Sequence, residues 1–253
     1  MASTTVVTAI GCDADGWRHV LGAGVVDRES CDSWSSLLSK ARAEACAGSS
    51  SSPRTLTEGL RQTIAEAFQG ATCQRSVVHL VHDCARVAGA HGLAKQGSHI
   101  VVPVFRLKSA GAMSAAYYIT DDMLESCCPA AADILEEAEP DVLAYLDFPP
   151  VHWKRPRTNS LQERSNRGIK RRSRVVQAFP PVASLERLAG AVMCDMDDAW
   201  TGARYLSERS LAELYGGRPG NEPPIEDQLA GFQLAAQQAI DASLELAGML
   251  EAA

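Results

Sequence analysis

RTNSLQERSNRGIKRRSR, residues Arg157 to Arg174, is the stretch on which the reading of this chain turns. Between Lys154 and Arg174 stand nine Lys/Arg residues and one acid, Glu163, a local charge of +8. The whole chain is −7, so the remainder sums to −15. A basic block inside an acidic chain sets up a local field whose natural partner is a polyanion.

The pattern predicts a two-faced helix. Thr158 and Asn159 offer side-chain oxygens at its N-cap. Leu161, Ser165, Gly168, Ile169 and Val176 follow helical spacing toward a core. Glu163, Asn166, Arg167 and Lys170 fall at i, i+3, i+4 and i+7 and share the opposite face. A carboxylate held beside an amide and several cations suits a metal-assisted phosphodiester site. The acid takes a divalent ion and the cations hold a phosphate backbone. The competing reading is a solvated helix carrying an i,i+4 Glu163–Arg167 pair.

The segment RTNSLQERSNRGIKRRSRVVQAFPPVASLERLAGAVMCDMDDAW, from Arg157 to Trp200, resembles the C-terminal part of the Mutator-type transposases of bacterial insertion sequences. The resemblance rests on TN, a short spacer, ER-x-N and IKRR, then V-V-x-x-FP, RL-x-GAV and a closing acidic run with Trp. Gly168 departs from the acid more usual there. The likeness is dense over about residues 133–206 and looser from Val6 to about Phe105. It implies an α/β fold: an incomplete ribonuclease-H-like core with a helical insertion and a C-terminal helix. Residues 1–76 and 151–206 would build the core, 77–150 the insertion and 207–253 an acidic tail. Glu163 would be the last acid of a DDE triad and a ligand of Mg²⁺ or Mn²⁺. Arg157, Asn159, Arg164, Asn166, Arg167, Lys170, Arg171, Arg172 and Arg174 would face double-stranded DNA at insertion-sequence ends. A homo-oligomer is a further implied partner.

The same resemblance exposes gaps. The family's first Asp belongs to a strand that would precede Thr4, ahead of Met1. Counting back from Gly59-Leu60 puts Thr55 at the position of the second Asp. The expectation is therefore an N-terminally truncated, partly decayed transposase, with a catalytically inactive DNA-binding remnant as the alternative. Asp13, Asp15, Asp27 and Glu58 are the other acids that bear on the site. Asp13 and Asp15 read as turn residues, and Glu58 as a helix-dipole partner.

The rest of the chain fits one large domain or a core with an appendage. Thr4–Ile10 and Trp17–Val26 read as strands of a hairpin around Asp13-Ala-Asp15-Gly16. Ala71–Ser76 reads as a short strand, and Glu29–Ala45 and Thr57–Phe68 as helices flanking a low-complexity break, Gly48–Pro53. Val77–Ala90, Ser98–Ser109, Met113–Glu125 and Ala130–Phe148 read as helices, with interruptions at Pro103 and Pro140. Ser184 is expected to cap a helix ending near Trp200. Ile225–Ala253 reads as one acidic helix with Leu229, Phe232, Ala236, Ile240 and Leu244 on its apolar side. His79 and His82 at i, i+3 lack a third metal ligand nearby and read as core or DNA-facing residues. No run approaches the roughly 20 apolar residues of a membrane span, and the N-terminus has no signal-peptide pattern. Eight irregularly spaced cysteines without a CxxC pair suggest free thiols in a reducing cytoplasm.

Overall fold

The computed structural model describes residues 5–26, 64, 66, 68, 72–90, 99–175, 182–216 and 226–251. The chain divides into two compact units. One comprises residues 1–73 and 159–217, the other 74–158 and 218–253.

The first unit holds the sheet. β1 (Thr5–Cys12) and β2 (Arg18–Val26) pair antiparallel, from Thr5 opposite Val26 to Cys12 opposite Arg18. The register shifts between Ala9 and Ile10. The turn is built by Asp13, whose Oδ1 accepts from the backbone N–H groups of Asp15 and Trp17 at 3.0 and 2.7 Å. Its Oδ2 lies 2.9 Å from His19 Nε2. Burial opposes ionisation of Asp13, yet the His19 contact and the two N–H donors outweigh it and lower its pKa. Asp13 is thus turn chemistry, as the sequence predicts.

α1 (Val77–Ala90), α2 (Ala110–Cys127) and α3 (Pro129–Val142) belong to the second unit, with short 3₁₀ turns at Val104–Arg106 and Ala144–Asp147. α4 (Ser160–Ser173), α5 (Val182–Trp200) and α6 (Glu208–Tyr215) complete the first unit. α7 (Glu226–Glu251) returns to the second. The outcome is a mixed, helix-rich α/β protein with a small two-stranded sheet.

In the second unit, α3 packs on α1 and α2, and α7 packs on α2. Leu80, Val101, Val104, Met113, Leu135 and Val142 are fully enclosed. Some of the buried polar groups are paired: Tyr117 Oη donates to the Leu135 carbonyl at 2.7 Å, and Gln74 Nε2 to the Val142 carbonyl at 3.1 Å. Arg75 meets Asp83 at 3.0 Å. The acidic tail helix belongs to this core, because Phe232, Ala236 and Ile240 recur every four residues and are buried against it.

Several boundaries differ from the sequence reading. Residues 72–76 are irregular rather than a strand; the Arg75 N–H goes to the Asp141 carbonyl at 3.0 Å instead of to a ladder. Pro140 does not break its helix, which runs on to Val142 before a 3₁₀ turn. α5 begins at Val182, so Ser184 lies inside it and accepts from Arg187 instead of capping. The predicted helix at 29–45, the low-complexity break, Thr55, Asp27 and Glu58 fall outside the described residues.

Gly16 sits in the left-handed region at φ +84°, and a Cβ there would lie 2.2 Å from the Leu206 carbonyl oxygen. Its own carbonyl accepts from the Tyr205 and Leu206 N–H groups at 2.8 and 3.0 Å. Gly16→Ala must therefore both strain the backbone and break this clasp. We expect a loss of about 2 kcal/mol or more in chemical denaturation; an unchanged midpoint would refute the clasp.

Candidate nucleic-acid interface

α4 is held by very few buried groups. Of its residues only Ser165 and Ile169 are buried, four apart on one side. Ser165 Oγ returns its proton to the Leu161 carbonyl at 3.2 Å, so the hydroxyl costs little inside. Ile169 joins Ala189, Val192 and Met193 of α5, with Val6, Ile10, Val20 and Ala23 of the hairpin packed against them. Gly168 fits the same contact, since a Cβ there would only touch Val192 at 3.6 Å. Asn159 occupies the N-cap position but makes no side-chain capping bond, contrary to the sequence expectation.

Two polar bonds fix the helices to the hairpin. Asp197 Oδ1 on α5 accepts from the Val20 N–H of β2 at 2.7 Å. Gln162 Nε2 on α4 donates to the Thr8 carbonyl of β1 at 3.0 Å and also meets the Thr8 hydroxyl.

The predicted site residues separate into three groups. Arg164, Arg167, Lys170, Arg171 and Arg174 are exposed, and among the described residues none forms a salt bridge. On a helical wheel Arg167, Lys170, Arg171 and Arg174 share the side of Glu163. Glu163 and Asn166 are half-buried. The Glu163–Arg167 ion pair of a merely solvated helix is absent among the described residues. A third group is engaged elsewhere: Arg172 pairs with Asp195 of α5 at 3.0 Å, and Asn159 is buried at 7% exposure. Arg157 donates to the Phe105 carbonyl at 2.8 Å in the second unit, where its own carbonyl accepts from Val77.

Lys170, Arg171 and Arg172 also stand in the last turn, where the helix dipole favours cations. This offsets part of their mutual repulsion.

The acids do not assemble around Glu163. Among the described residues no group of three or more His, Cys, Asp and Glu side chains stands close enough to hold a metal ion. Asp13 is committed to its turn. His82 is exposed and His79 half-buried on α1, without a third ligand. The described donors therefore do not fit a divalent metal centre. The sequence reading missed Asp195 and Asp197, whose i, i+2 spacing on α5 separates a partner for α4 from a partner for β2. It also missed Arg18, whose guanidinium lies 4.1 Å from the Trp200 ring centre and 5.2 Å from that of Tyr205.

A mixed helix-and-hairpin protein with one cationic helix face is the class this geometry defines. The chain belongs to the Mutator family of transposases, whose family model matches residues 1–203. It is similar to the transposase for insertion sequence element IS1081 of Mycobacterium tuberculosis, 29% identical over 87% of this chain and 53% of that protein. It is 31% identical to the transposase for IS406 of Burkholderia multivorans, over 80% of this chain and 52% of the relative. The transposase for IS256 in transposon Tn4001 of Staphylococcus aureus is 25% identical over 79% and 52%. The chain spans about half the length of the curated relatives it matches.

The two α5 aspartates should be unequal. Asp197→Ala leaves the Val20 N–H without its partner and should cost about 1–3 kcal/mol. Asp195→Asn breaks an exposed pair and should cost under about 1 kcal/mol. Urea titrations of both variants check the order; equal losses would contradict it.

Proposed function

We propose that this chain acts in DNA transposition of an insertion sequence as part of a Mutator-type transposase, and that its share of the task is to hold duplex DNA on α4. The observation that carries this reading is the row of exposed cations at Arg164, Arg167, Lys170, Arg171 and Arg174, unneutralised by acids among the described residues. Phosphates recruit such a row without regard to sequence, through charge and release of counterions. Asn166 and Glu163 lie half-buried beside it. Arg172 contributes less, since binding must compete with Asp195, and Arg157 and Asn159 chiefly hold their own units together.

The hairpin with α4 and α5 on it is the part we assign to a ribonuclease-H-like core. Residues 1–76 and 151–206 would form that core around a helical insertion at 77–150, with 207–253 as the tail. What supports this is that most of the two stretches flanking the insertion fall in one compact unit, while the insertion and the tail helix share the other. Mg²⁺ or Mn²⁺ and a homo-oligomer enter the reading only through the family. A cytoplasmic setting is supported by the thiols of Cys84, Cys127, Cys128 and Cys194, which form no disulfide among the described residues. No helix among the described residues is long and apolar enough to cross a membrane.

Arg167→Ala, Lys170→Ala and Arg171→Ala combined should weaken binding to all duplexes alike. The slope of log affinity against log salt should fall by roughly one for each phosphate no longer held. Arg172→Ala should change the slope less. A salt titration in which the triple variant matches the unaltered chain would leave α4 as a solvated face.

A second reading, DNA binding without catalysis by this chain alone, is favoured by Glu163 standing apart from any metal-holding group among the described residues. It expects no DNA cleavage or strand transfer with Mg²⁺ or Mn²⁺. Strand transfer that disappears in Glu163→Gln would overturn it and give Glu163 the role of the family's last acid.

A further inference from the structure

We propose that the groove between α2 and α7 receives the end of α4 from a second copy of this chain, with Val175 seated in the groove and Arg171 and Arg174 against the carboxylates beside it. The inference draws on the cations of α4 but does not rest on the DNA reading above.

The groove has a volume of about 580 Å³ and lies within the second unit. Ile119 and Met123 of α2 and Ala230 and Leu234 of α7 line it, and Asp122 brings the charge. It exists because α7 turns its bulky row inward, where Phe232, Ala236 and Ile240 are buried. The short side chain of Ala230, outside that row, leaves space over α2. Leu234 remains 63% exposed, and Asp122 is exposed. A solitary exposed leucine is ordinary. One that borders a mostly apolar groove enlarges the apolar surface that an occupant would remove from water.

Charge selects the occupant. α2, α3 and α7 contain three, five and five Asp/Glu residues and no Lys or Arg. Asp122, Glu125, Asp133 and Glu136 are exposed and form no salt bridge among the described residues. The Tyr118 hydroxyl donates to Glu139 Oε1 at 2.6 Å and so ties the acidic sides of α2 and α3 together. Oδ1 of Asp121 is enclosed without a hydrogen bond. Burial, and then Glu136, Asp122, Glu125 and Asp133, raise the Asp121 pKa, so these acids already press on one another. An acidic segment would add to that repulsion. A cationic one carrying an exposed apolar side chain relieves it and fills the groove.

Such a segment stands on the same chain. Val175 is 81% exposed, the most exposed large apolar side chain among the described residues. The Arg174 N–H reaches the Lys170 carbonyl at 3.1 Å and the Val175 N–H the Arg172 carbonyl at 3.3 Å, so both residues continue the last turn of α4. Arg171 lies one turn before Val175 and Arg174 next to it, both exposed and without a salt bridge among the described residues. Arginine stems cover apolar surface while their charged heads stay at a wet rim. Both halves of the match belong to one chain, so a second copy supplies each of them. The contact is small, and the association it gives is weak and transient.

Sedimentation equilibrium on the full chain tests this. The average mass should rise with protein concentration and fall back as salt screens the charged rim. A single-chain mass at every concentration, or a mass indifferent to salt, overturns the proposal. Neither measurement depends on a variant that folds. Asp122→Lys with Leu234→Lys alters the groove, and Arg174→Glu with Val175→Glu alters the docking end; all four side chains are exposed. Each pair should weaken association about ten-fold or more. Unchanged association in either overturns the docking.

Mixing the two variants brings together one intact groove and one intact docking end. The mixture should regain mass that neither variant shows alone, and no regain overturns the proposal. Duplex titration reads the DNA interface separately. A chain that binds no duplex yet self-associates in this pattern keeps the docking and loses the DNA reading.

Discussion

The first unit depends on one constraint: a helix with six cations from Arg164 to Arg174 must be anchored without being buried. Burying any of those charges would cost several kcal/mol unless each found a partner. The chain answers with the narrowest apolar contact available, Ser165 and Ile169. Ile169 touches a cluster that α5 and the hairpin have already formed, so α4 needs to supply little of its own. Gly168 beside it adds no bulk, and a methyl there would be accommodated.

A contact so small cannot set an orientation alone, and directed bonds supply the rest. Asp197 takes an N–H that the strand has to spare at its edge, and Gln162 reaches β1 from the other helix. The Asp197 bond is side chain to backbone and depends on register alone, whereas Gln162 meets both the carbonyl and the hydroxyl of Thr8 and so also depends on that residue. Arg172 with Asp195 adds a third tie, exposed and correspondingly weak. It acts mainly by occupying one cation of the basic block and so sets the direction in which the remainder face.

How much was legible follows from this arrangement. The hairpin was readable because Asp13-Ala-Asp-Gly carries its own turn chemistry, and Asp13 satisfies two N–H groups within four residues. The tail helix and its apolar row were readable because Phe232, Ala236 and Ile240 repeat with the helical period. Boundaries set by distant partners were not. The stretch at 72–76 looks β-rich, but its backbone is claimed by Asp141, nearly seventy residues away. Pro140 looks like a helix end, yet α3 continues past it, with its buried residues Ala138, Asp141 and Val142 on either side. At the site, charge and spacing located the cations of α4 correctly on its exposed side. They could not separate Arg171, which is free of salt bridges among the described residues, from Arg172, which is not. That difference lies in Asp195 on another helix.

Glu163 gains its meaning from the same geometry. A carboxylate among cations is ordinarily consumed by the nearest of them, and an i,i+4 Glu–Arg pair is the easiest such outcome on a helix. Here the pair is not formed among the described residues, although Arg167 lies one turn away. Such a pair is worth only about 0.3–0.5 kcal/mol, so little is forfeited by leaving it open. An unpaired carboxylate beside a cationic face would, however, repel any phosphate brought to that face. It opposes the polyanion unless a positive charge from elsewhere sits between them. Neither the hairpin nor α5 brings a described cation to salt-bridge distance of Glu163. Any affinity of α4 for a polyanion and the retention of Glu163 would therefore pull in opposite directions, and the cations of α4 would have to outweigh the acid beside them.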